Sequence, residues 1–423
     1  MKITAIRGMR DLLPEDTFWF EKLEAAARHV FGLYNFDEIR TPVVEPTELF
    51  TRAVGEETDI VGKEMYTFAD RDGASLTLRP EATASVARAY VEHRLWLRPG
   101  LAKLYYIGPM FRRERPQRGR YRQFYQIGAE IMGGNSPWID SELLAMLQHL
   151  LDVCGITGAE LVLNSVGCAL DRPTYYAALR EALSSRLSDM CADCQRRAVS
   201  NPLRVFDCKV ERDQPIIAQL PSIESFLEPN CRNHFAQLRQ LLDQHAIAYR
   251  IDPRLVRGLD YYTSTAFEFV HGALGAQNAL LGGGRYDGLT QELGAPAEAG
   301  GGIGFAIGAD RFVMAMQAAD RAATLARLQV MLIPITPAEL SPLLALAQRL
   351  RRAGVRVEVA EPGRKLGKSL ELASKLGAPF ALVAGADEIA SGKWKLKTLA
   401  TSAQVDVTDD ELLARLQAKG AGA

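Results

Sequence analysis

The segment FRRERPQRGRYRQFYQIGAE, from Phe111 to Glu130, concentrates positive charge beside an apolar-alternating pattern. Six arginines and one glutamate fall within the eleven residues 112–122. Charge runs usually decorate solvated turns, but this density exceeds what solubility requires. Guanidinium groups bind phosphate and carboxylate oxygens with paired donors. The run therefore favours an anionic ligand.

The residues after this loop alternate as in a β-strand, and one face carries Phe124, Gln126, Gly128 and Glu130. The opposite face is apolar and should be core. We expect Gly128 to leave room for a ligand against the sheet. Such a face suits a flat aromatic base on Phe124, phosphates on the preceding Arg112, and a small polar substrate between Gln126 and Glu130.

A second segment, RGLDYYTSTAFEF, begins at Arg257. Continuous strand alternation from its start places Tyr262 with Asp260 and Ser264, opposite Leu259, Tyr261 and Thr263. If the Tyr262 face lines a pocket, its phenol and the Arg257 guanidinium converge there. An aromatic core strand is the ordinary alternative.

Two glycine-rich runs, Gly282 to Gly284 and GGIGFAIGADR ending at Arg311, permit close backbone approach to a ligand. Neither is a Walker loop or a dinucleotide fingerprint opening a parallel unit. A serine–histidine–aspartate pattern and HExxH are absent, and the six histidines are dispersed. Arginines, amides and carboxylates fit a reaction whose nucleophile arrives with the substrate and is aided by positioning and charge.

The elements that must position these residues can be predicted in outline. Apolar spacing predicts a helix over about 15–31, and prolines within 36–46 indicate an edge or interface strand. Residues 66–78 predict a hairpin around Asp72 and Gly73. The strands flanking the arginine loop should be antiparallel, because their connection is too short for a crossover helix. A helix should start near Ala309.

At 423 residues the chain should form two or three domains. We expect an antiparallel body over 1–325 with a helical insertion at about 171–250. Alternating strands and helices predict a small α/β domain with a mostly parallel sheet over 326–423. Gly354 and Gly377 stand where helix C-caps belong. The fold class is α+β.

The bulk composition is that of an ordinary globular protein, with 48% hydrophobic residues, 24% charged residues and a net charge of -1. This balance does not exclude nucleic acid, which local basic clusters can bind. The chain has no signal-peptide pattern and no apolar run long enough for a membrane span, so a cytoplasmic location without membrane attachment is expected.

The six cysteines should be reduced thiols. Cys191 and Cys194 form a CxxC, but Cys208 and Cys231 follow at irregular spacing and do not form a second one. We therefore expect no zinc.

The chain resembles histidyl-tRNA synthetases, which are class II aminoacyl-tRNA synthetases, over nearly its whole length. Matching segments are IRGMRDLLPED, the Thr41-Pro42 segment, TLRPEATA, the arginine-loop segment, RGLDYYTSTAFEF, GGGRYDGL and GIGFAIGADR. Thr263 departs from the asparagine of many members. The resemblance implies a six-stranded antiparallel sheet with flanking helices, a helical insertion, a C-terminal α/β anticodon-binding domain and a homodimer. It also implies activation of L-histidine by ATP and transfer of histidine to tRNA(His).

The resemblance also implies roles for individual residues. Arg112 and Arg257 would be catalytic, and the ATP-binding residues would be Arg112, Arg120, Phe124 and Arg311. The histidine-binding residues would be Glu81, Thr83, Gln126, Glu130, Tyr262 and Tyr286. The acceptor end of the tRNA would contact Arg115, Gln117 and Arg118. Mg²⁺ should accompany ATP, but the sequence identifies no ligands for it.

Two other functions remain possible at this point. The regulatory subunit of ATP phosphoribosyltransferase keeps a similar core as a histidine-sensing module, although it typically lacks the C-terminal domain and erodes the arginine signatures. A class II synthetase for glycine, proline or threonine is the second alternative, against which the imidazole-matched Glu130 and Tyr262 argue.

Overall fold

A computed structural model describes residues 2–55, 58–272, 278–320 and 328–420 of the chain. The chain divides into two compact units, Met1–Arg321 and Ala322–Ala423. None of the described helices is both long enough and apolar enough to cross a membrane.

The first unit contains helices and strands in mixed order. Its helices are α1 (Pro14–Leu33), α2 (Thr47–Val54), α3 (Thr83–Glu92), α4 (Pro137–Val153), α5 (Arg172–Ser184), α6 (Ala192–Ser200), α7 (Gln214–Ile217), α8 (Pro229–Gln244), α9 (Leu289–Glu292) and α10 (Ala309–Ala319). Its strands are β1 (Asp37–Glu38), β2 (Val44–Pro46), β3 (Tyr66–Ala69), β4 (Ser75–Leu78), β5 (Ala102–Phe111), β6 (Gln123–Met132), β7 (Glu160–Ser165), β8 (Tyr249–Ile251), β9 (Thr263–Val270), β10 (Ala279–Arg285) and β11 (Gly302–Gly308).

Within the described residues, the main sheet has eight strands in the order β1-β5-β6-β11-β10-β9-β7-β8. The six central strands are antiparallel neighbours, as the predicted six-stranded sheet requires. The additional strands β1 and β8 are short and pair in parallel with β5 and β7 at the two edges. The sheet is therefore wider than predicted by one short strand at each edge.

The core face of the sheet is covered by α1. This helix buries the predicted apolar stripe, and its Phe31 ring lies 5.4 Å from Tyr105 and 5.9 Å from Phe305. Its Phe20 ring lies 5.8 Å from the ring of Tyr125. The predicted helix over 15–31 and the predicted core face of β6 are thus confirmed. The opposite face of β6 is left for Phe124 and its polar neighbours.

The predicted hairpin is also confirmed, since β3 and β4 are antiparallel around Gly73, whose φ is 90°. A third strand, β2, pairs with β4 and completes a small sheet with the order β2-β4-β3. Strands β5 and β6 pair in the register Met110↔Phe124 and Leu104↔Glu130, as the short loop between them requires.

One local prediction is wrong. Strand β9 begins at Thr263, and residues 259–262 form a turn instead of continuing the strand. Tyr261 and Tyr262 are therefore not directed by strand alternation. The contacts of Asp260 account for the turn, because Arg204 Nη2 and Asn201 Nδ2 donate to its Oδ1 at 2.9 and 3.0 Å.

The second unit contains β12 (Val330–Pro334), α11 (Leu340–Arg352), β13 (Val357–Val359), α12 (Leu366–Lys375), β14 (Phe380–Ala384), α13 (Ala386–Ser391), β15 (Trp394–Thr398), β16 (Gln404–Val407) and α14 (Asp409–Gly420). Its sheet has the order β13-β12-β14-β15-β16, with the first three strands parallel, as predicted, and the last two antiparallel. Gly354 and Gly377 have φ of 84° and 72° after α11 and α12, which suits the predicted C-caps.

Candidate active site

One cavity, of about 280 Å³, collects most of the predicted site residues on the sheet face opposite α1. The predicted residues that line it are Glu81, Thr83, Arg112, Arg120, Phe124, Gln126, Arg257, Tyr262 and Arg311. They come from segments up to 230 residues apart in the sequence, from Glu81 to Arg311. The sheet order explains this convergence, because β6, β11, β10 and β9 are consecutive neighbours.

Arg112 lies where β5 enters the arginine loop, and its position is fixed from two sides. Its Nε donates to Pro80 O at 2.8 Å, and its guanidinium carbon lies 5.3 Å from the centre of the Phe124 ring. The next loop arginine facing the cavity, Arg120, pairs with Glu114 at 3.1 Å. Positive charge and an aromatic surface therefore adjoin each other on this wall.

Arg257 and Arg311 face the cavity from other elements. Arg257 is paired with Glu268 of β9 and lies 5.7 Å from the centre of the Tyr262 ring. Arg311, in the first turn of α10, donates to Ala279 O at 3.3 Å. Burial, and next the charge of Arg120, lower the pKa of Arg311. An anion in the cavity would relieve this repulsion between like charges.

The polar corner of the cavity is built around the start of α3. Glu81 accepts hydrogen bonds from the backbone N–H groups of Thr83 and Ala84 at 2.7 and 3.0 Å and so caps this helix. Burial raises the pKa of Glu81. Among the described residues, no partner reaches the buried Oε1 of Gln126. A ligand that donates a hydrogen bond would satisfy this atom.

Glu130 and Tyr286 do not line the cavity but lie directly behind its wall. Glu130 is fully buried, and its two oxygens accept hydrogen bonds from Thr83 Oγ1 at 2.7 Å and Tyr286 Oη at 2.5 Å. Burial raises the pKa of Glu130 to about 8, although both hydrogen bonds oppose the shift. Thr83 therefore links this buried carboxyl to the cavity.

The glycines of the sheet make room for site side chains. A Cβ atom at Gly304 would overlap the Glu130 carboxylate, and one at Gly282 would overlap the Arg257 guanidinium. A Cβ atom at Gly128 would overlap the Tyr106 hydroxyl. The space above Gly128 that we expected a ligand to use is thus filled by Tyr106. Gly308, by contrast, lines the cavity with no atom within 4 Å of its Cβ position.

Tyr261 and Glu268 are among the cavity residues that sequence reasoning missed. Strand alternation places Tyr261 on the face opposite Tyr262, but this alternation does not apply because the segment is a turn. Glu268 had a usable signal, since it stands between the buried Phe267 and Phe269 and must face the other side of β9.

The predicted acceptor-end residues lie outside the cavity. Arg115, Gln117 and Arg118 are exposed in the arginine loop. The backbones of Gln117 and Arg120 exchange two hydrogen bonds, at 3.2 and 2.9 Å, which shape the loop into a tight turn. These side chains therefore point to a surface that a large ligand could reach.

Comparison with known proteins agrees with this arrangement. The family model described as histidyl-tRNA synthetase matches residues 8–311, and that of an anticodon binding domain matches residues 329–419. The chain is 54% identical to a histidine–tRNA ligase of Solibacter usitatus, over 98% of this chain and 99% of that protein. It is 52% identical to a histidine–tRNA ligase of Koribacter versatilis, over 99% and 97% of the two chains.

Among solved structures, the chain is similar to apo histidyl-tRNA synthetase of S. aureus. The TM-score is 0.81 at 34% identity, covering 98% of this chain and all of that chain. With a family match over most of the sequence and relatives of this identity along its whole length, the chain belongs to the histidyl-tRNA synthetase family.

Proposed function

We propose that this chain is a histidine–tRNA ligase. It activates L-histidine with ATP to histidyl-adenylate and pyrophosphate, and then transfers histidine to the 3′ end of tRNA(His). The main support for this proposal is that Arg112, Arg257 and Arg311 all line one cavity. The polar corner of this cavity contains Gln126, whose Oε1 has no partner among the described residues. This combination suits two anions that must approach each other.

Activation is attack of the histidine carboxylate on the α-phosphorus of ATP. Both reactants are negatively charged, so fixed guanidinium groups of Arg112, Arg257 and Arg311 stabilise the charge that develops between them. The carboxylate is already ionised at neutral pH, so no enzyme base is needed. Phe124 offers its ring to adenine, and Arg120 offers its charge to the outer phosphates.

Histidine would lie with its α-amino group toward Glu81, Thr83 and Gln126. The unpartnered amide oxygen of Gln126 supports this orientation, because an ammonium group donates hydrogen bonds. Neutral imidazole has one nitrogen that donates and one that accepts a hydrogen bond. We propose that Tyr262 recognises these nitrogens together with Glu130 and Tyr286, which lie behind the cavity wall. An analogue without those nitrogens could not form these hydrogen bonds and would bind less tightly.

Mg²⁺ would enter with ATP as part of the substrate. The ion usually takes one or two carboxylates together with phosphate oxygens. Glu114 and Glu268 are cavity carboxylates beside the arginines and could serve as these ligands.

The tRNA would contact both units. The match of residues 329–419 to an anticodon binding domain supports assignment of 326–423 to the anticodon, with 1–325 as the catalytic domain and about 171–250 as its insertion. We propose that Arg115, Gln117 and Arg118 contact the acceptor end, where family members read an additional 5′ guanosine.

Replacing Gln117 by alanine tests the acceptor-end contact. We expect Gln117→Ala to reduce discrimination against tRNA(His) lacking the 5′ guanosine, measured as the ratio of kcat/KM for the two tRNAs. Histidine-dependent pyrophosphate exchange should stay unchanged, because the side chain lies outside the cavity. An unchanged ratio would contradict this contact.

Homodimer formation and a cytoplasmic location complete the proposal. The small sheet supports a dimer because Val44, Leu78 and Tyr66 share one face, with Pro46, Leu76 and Phe68 beside them. Val44 and Phe68 are 40% and 46% exposed, and a second copy would cover them.

Amino-acid-dependent exchange of pyrophosphate into ATP tests the function. We expect exchange with L-histidine and none with glycine, proline or threonine. Absence of exchange with every amino acid would instead favour a histidine-sensing regulatory module. Exchange with another amino acid would favour a different class II synthetase. Charging of tRNA(His) with radiolabelled histidine then tests the second step.

A further inference from the structure

We propose that Cys191, Cys194, Cys208 and Asp213 in the helical insertion form a binding site for one Zn²⁺ ion. The sequence alone argued against zinc, because the cysteines follow at irregular spacing. In the structure the four potential ligand atoms all lie within 4.8 Å of one another. The fourth cysteine of the sequence grouping, Cys231, lies elsewhere, and the buried Asp213 takes its place.

The spacing of the ligand atoms fits a tetrahedral ion. Zinc–sulfur bonds of about 2.3 Å at tetrahedral angles imply sulfur atoms about 3.8 Å apart. The Sγ atoms of Cys191 and Cys208 are 3.8 Å apart. The remaining ligands need small side-chain adjustments to close around a common centre.

The burial of Asp213 is hard to explain without a cation. Its side chain is 0% exposed, and its oxygens accept from the backbone N–H of Cys191 at 3.2 Å and from the Cys208 thiol at 3.2 Å. The guanidinium of Arg212 reaches it only at 3.7 Å and is itself 66% exposed. A carboxylate removed from water in this way is costly unless an opposite charge lies close to it.

Backbone N–H groups contact two of the three sulfur atoms. The backbone N–H groups of Cys194 and Val210 point at the sulfur atoms of Cys191 and Cys208, at 3.5 and 3.4 Å. Cys191 is also the N-cap of the nine-residue helix α6, where the helix dipole favours negative charge. Such outer contacts commonly orient and stabilise the thiolates of zinc sites.

A disulfide explains the cluster less well than a metal. Joining Cys191 to Cys208 would leave Cys194, which is 0% exposed, and Asp213 facing an uncharged sulfur pair. Three sulfurs and one carboxylate oxygen instead match the donor types and coordination number that Zn²⁺ accepts.

A second cluster of potential ligands, Cys168, Asp171 and Cys231, carries no proposal. It offers three ligands, and its carboxylate already accepts from the backbone N–H groups of Cys168 and Glu228 at 2.7 and 2.5 Å. This cluster therefore provides a matched control.

The proposed ion would support the active-site wall. The segment between Cys194 and Cys208 carries Asn201 and Arg204, whose side chains hold Asp260. Asp260 belongs to the turn that presents Tyr261 and Tyr262 to the cavity. A metal that fixes both ends of this segment would keep that turn in place.

Metal analysis of the full-length protein tests the site. We expect about one zinc per chain after purification without chelator, and the same value for Cys154→Ser and Cys231→Ser. Cys208→Ser and Asp213→Asn should bind zinc at least tenfold more weakly in competition with a chromophoric chelator. Cobalt-substituted protein should show thiolate charge-transfer and tetrahedral ligand-field bands that are lost in Cys208→Ser.

Several results would overturn the proposal. The first is a wild-type protein that contains no zinc and takes up none after chelator treatment under reducing conditions. The second is a Cys191–Cys208 disulfide found by mass spectrometry. The third is loss of zinc in Cys231→Ser while Cys208→Ser keeps it. If Cys208→Ser does not fold, the Asp213→Asn variant and wild-type cobalt spectra still decide between these outcomes.

Discussion

Arg257 is held against the cavity on two sides. Its guanidinium is paired with Glu268, and the missing side chain of Gly282 leaves the space that it fills. Its charge is therefore oriented before any substrate binds. Preorganised charge of this kind contributes to the reaction rate more than to ground-state binding.

Replacing this arginine should consequently affect turnover most. We expect Arg257→Gln to lower kcat for histidine-dependent pyrophosphate exchange by about 10²- to 10³-fold, with a smaller change in KM. The control is Arg254→Gln, since Arg254 is exposed and pairs with Asp252 at 3.6 Å. Equal kcat values for the two variants would contradict a catalytic role for Arg257.

Glu130 should make stability depend on pH. Burial raises its pKa from 4.5 to about 8, so the folded state binds this proton more tightly than the unfolded state does. Its stabilising contribution is therefore complete below about pH 4.5 and is lost as the pH rises through about 8. Between these values the folded protein keeps the carboxyl protonated whereas the unfolded chain leaves it ionised in water, so unfolding releases a proton and stability falls as the pH rises.

In the variant Glu130→Gln, the side chain at position 130 is uncharged at every pH. We expect it to lose less stability than the wild type between pH 5 and pH 9, by on the order of a few kcal/mol. Urea unfolding at several pH values measures the difference. Glu298→Gln, at an exposed position, should follow the wild type. Parallel curves for Glu130→Gln and the wild type would show that the carboxyl does not titrate in this range.

At the scale of elements, Asp140 of α4 joins three neighbours in the interior. It pairs with the fully buried Arg285 of β10, accepts from Thr265 Oγ1 of β9 at 2.7 Å, and lies 2.9 Å from His234 Nε2 of α8. Helix α8 lies within the proposed insertion, so this carboxylate would connect that segment to the main sheet.

Removing one member of a buried ion pair leaves the other charge uncompensated. We expect Asp140→Ala to destabilise the first unit by about 3–5 kcal/mol, measured by chemical denaturation. Asp152→Ala, at an exposed position near the end of the same helix, should change stability little. Similar unfolding midpoints for both variants would contradict this role for Asp140.

Sequence patterns predicted elements whose partners are close in the chain. The strands β5 and β6 follow from a short loop that permits only antiparallel pairing. Of the two edge strands, β1 lies within the segment 36–46 that was predicted as an edge or interface strand. Strand β8 was not predictable, because three residues carry no periodicity and its pairing depends on the rest of the sheet. The turn at 259–262 was missed for a similar reason, since contacts from the distant Arg204 hold it.

The site was predictable to a similar extent. Residue type alone identified the arginine loop as a candidate anion-binding segment, because so many arginines in so short a segment exceed what solubility requires. The position of Glu130 behind the wall could not be predicted, since it depends on the space above Gly304 and on Tyr286, which directly follows strand β10. Strand alternation gives the face of a residue but not its depth.

For the whole molecule, the partly exposed apolar face of the small sheet predicts self-association. We expect the wild type to be a dimer by light scattering and analytical ultracentrifugation, and Val44→Asp or Phe68→Asp to shift it toward monomer at micromolar concentration. Val199→Asp changes an apolar side chain that is 71% exposed on α6 and should leave the dimer intact. A monomeric wild type would contradict the proposed interface.

The glycines under Arg257, Glu130 and Tyr106 have a consequence for how this protein is surveyed by mutation. Truncation to alanine normally removes atoms, but at Gly282, Gly304 and Gly128 alanine adds a carbon atom where the side chain of Arg257, Glu130 or Tyr106 already lies. An alanine scan that leaves out the glycines would not test these positions. We expect these positions to be among the least tolerant of substitution in the chain. The methyl group of alanine would displace Arg257, Glu130 or Tyr106 and so change the shape of the site.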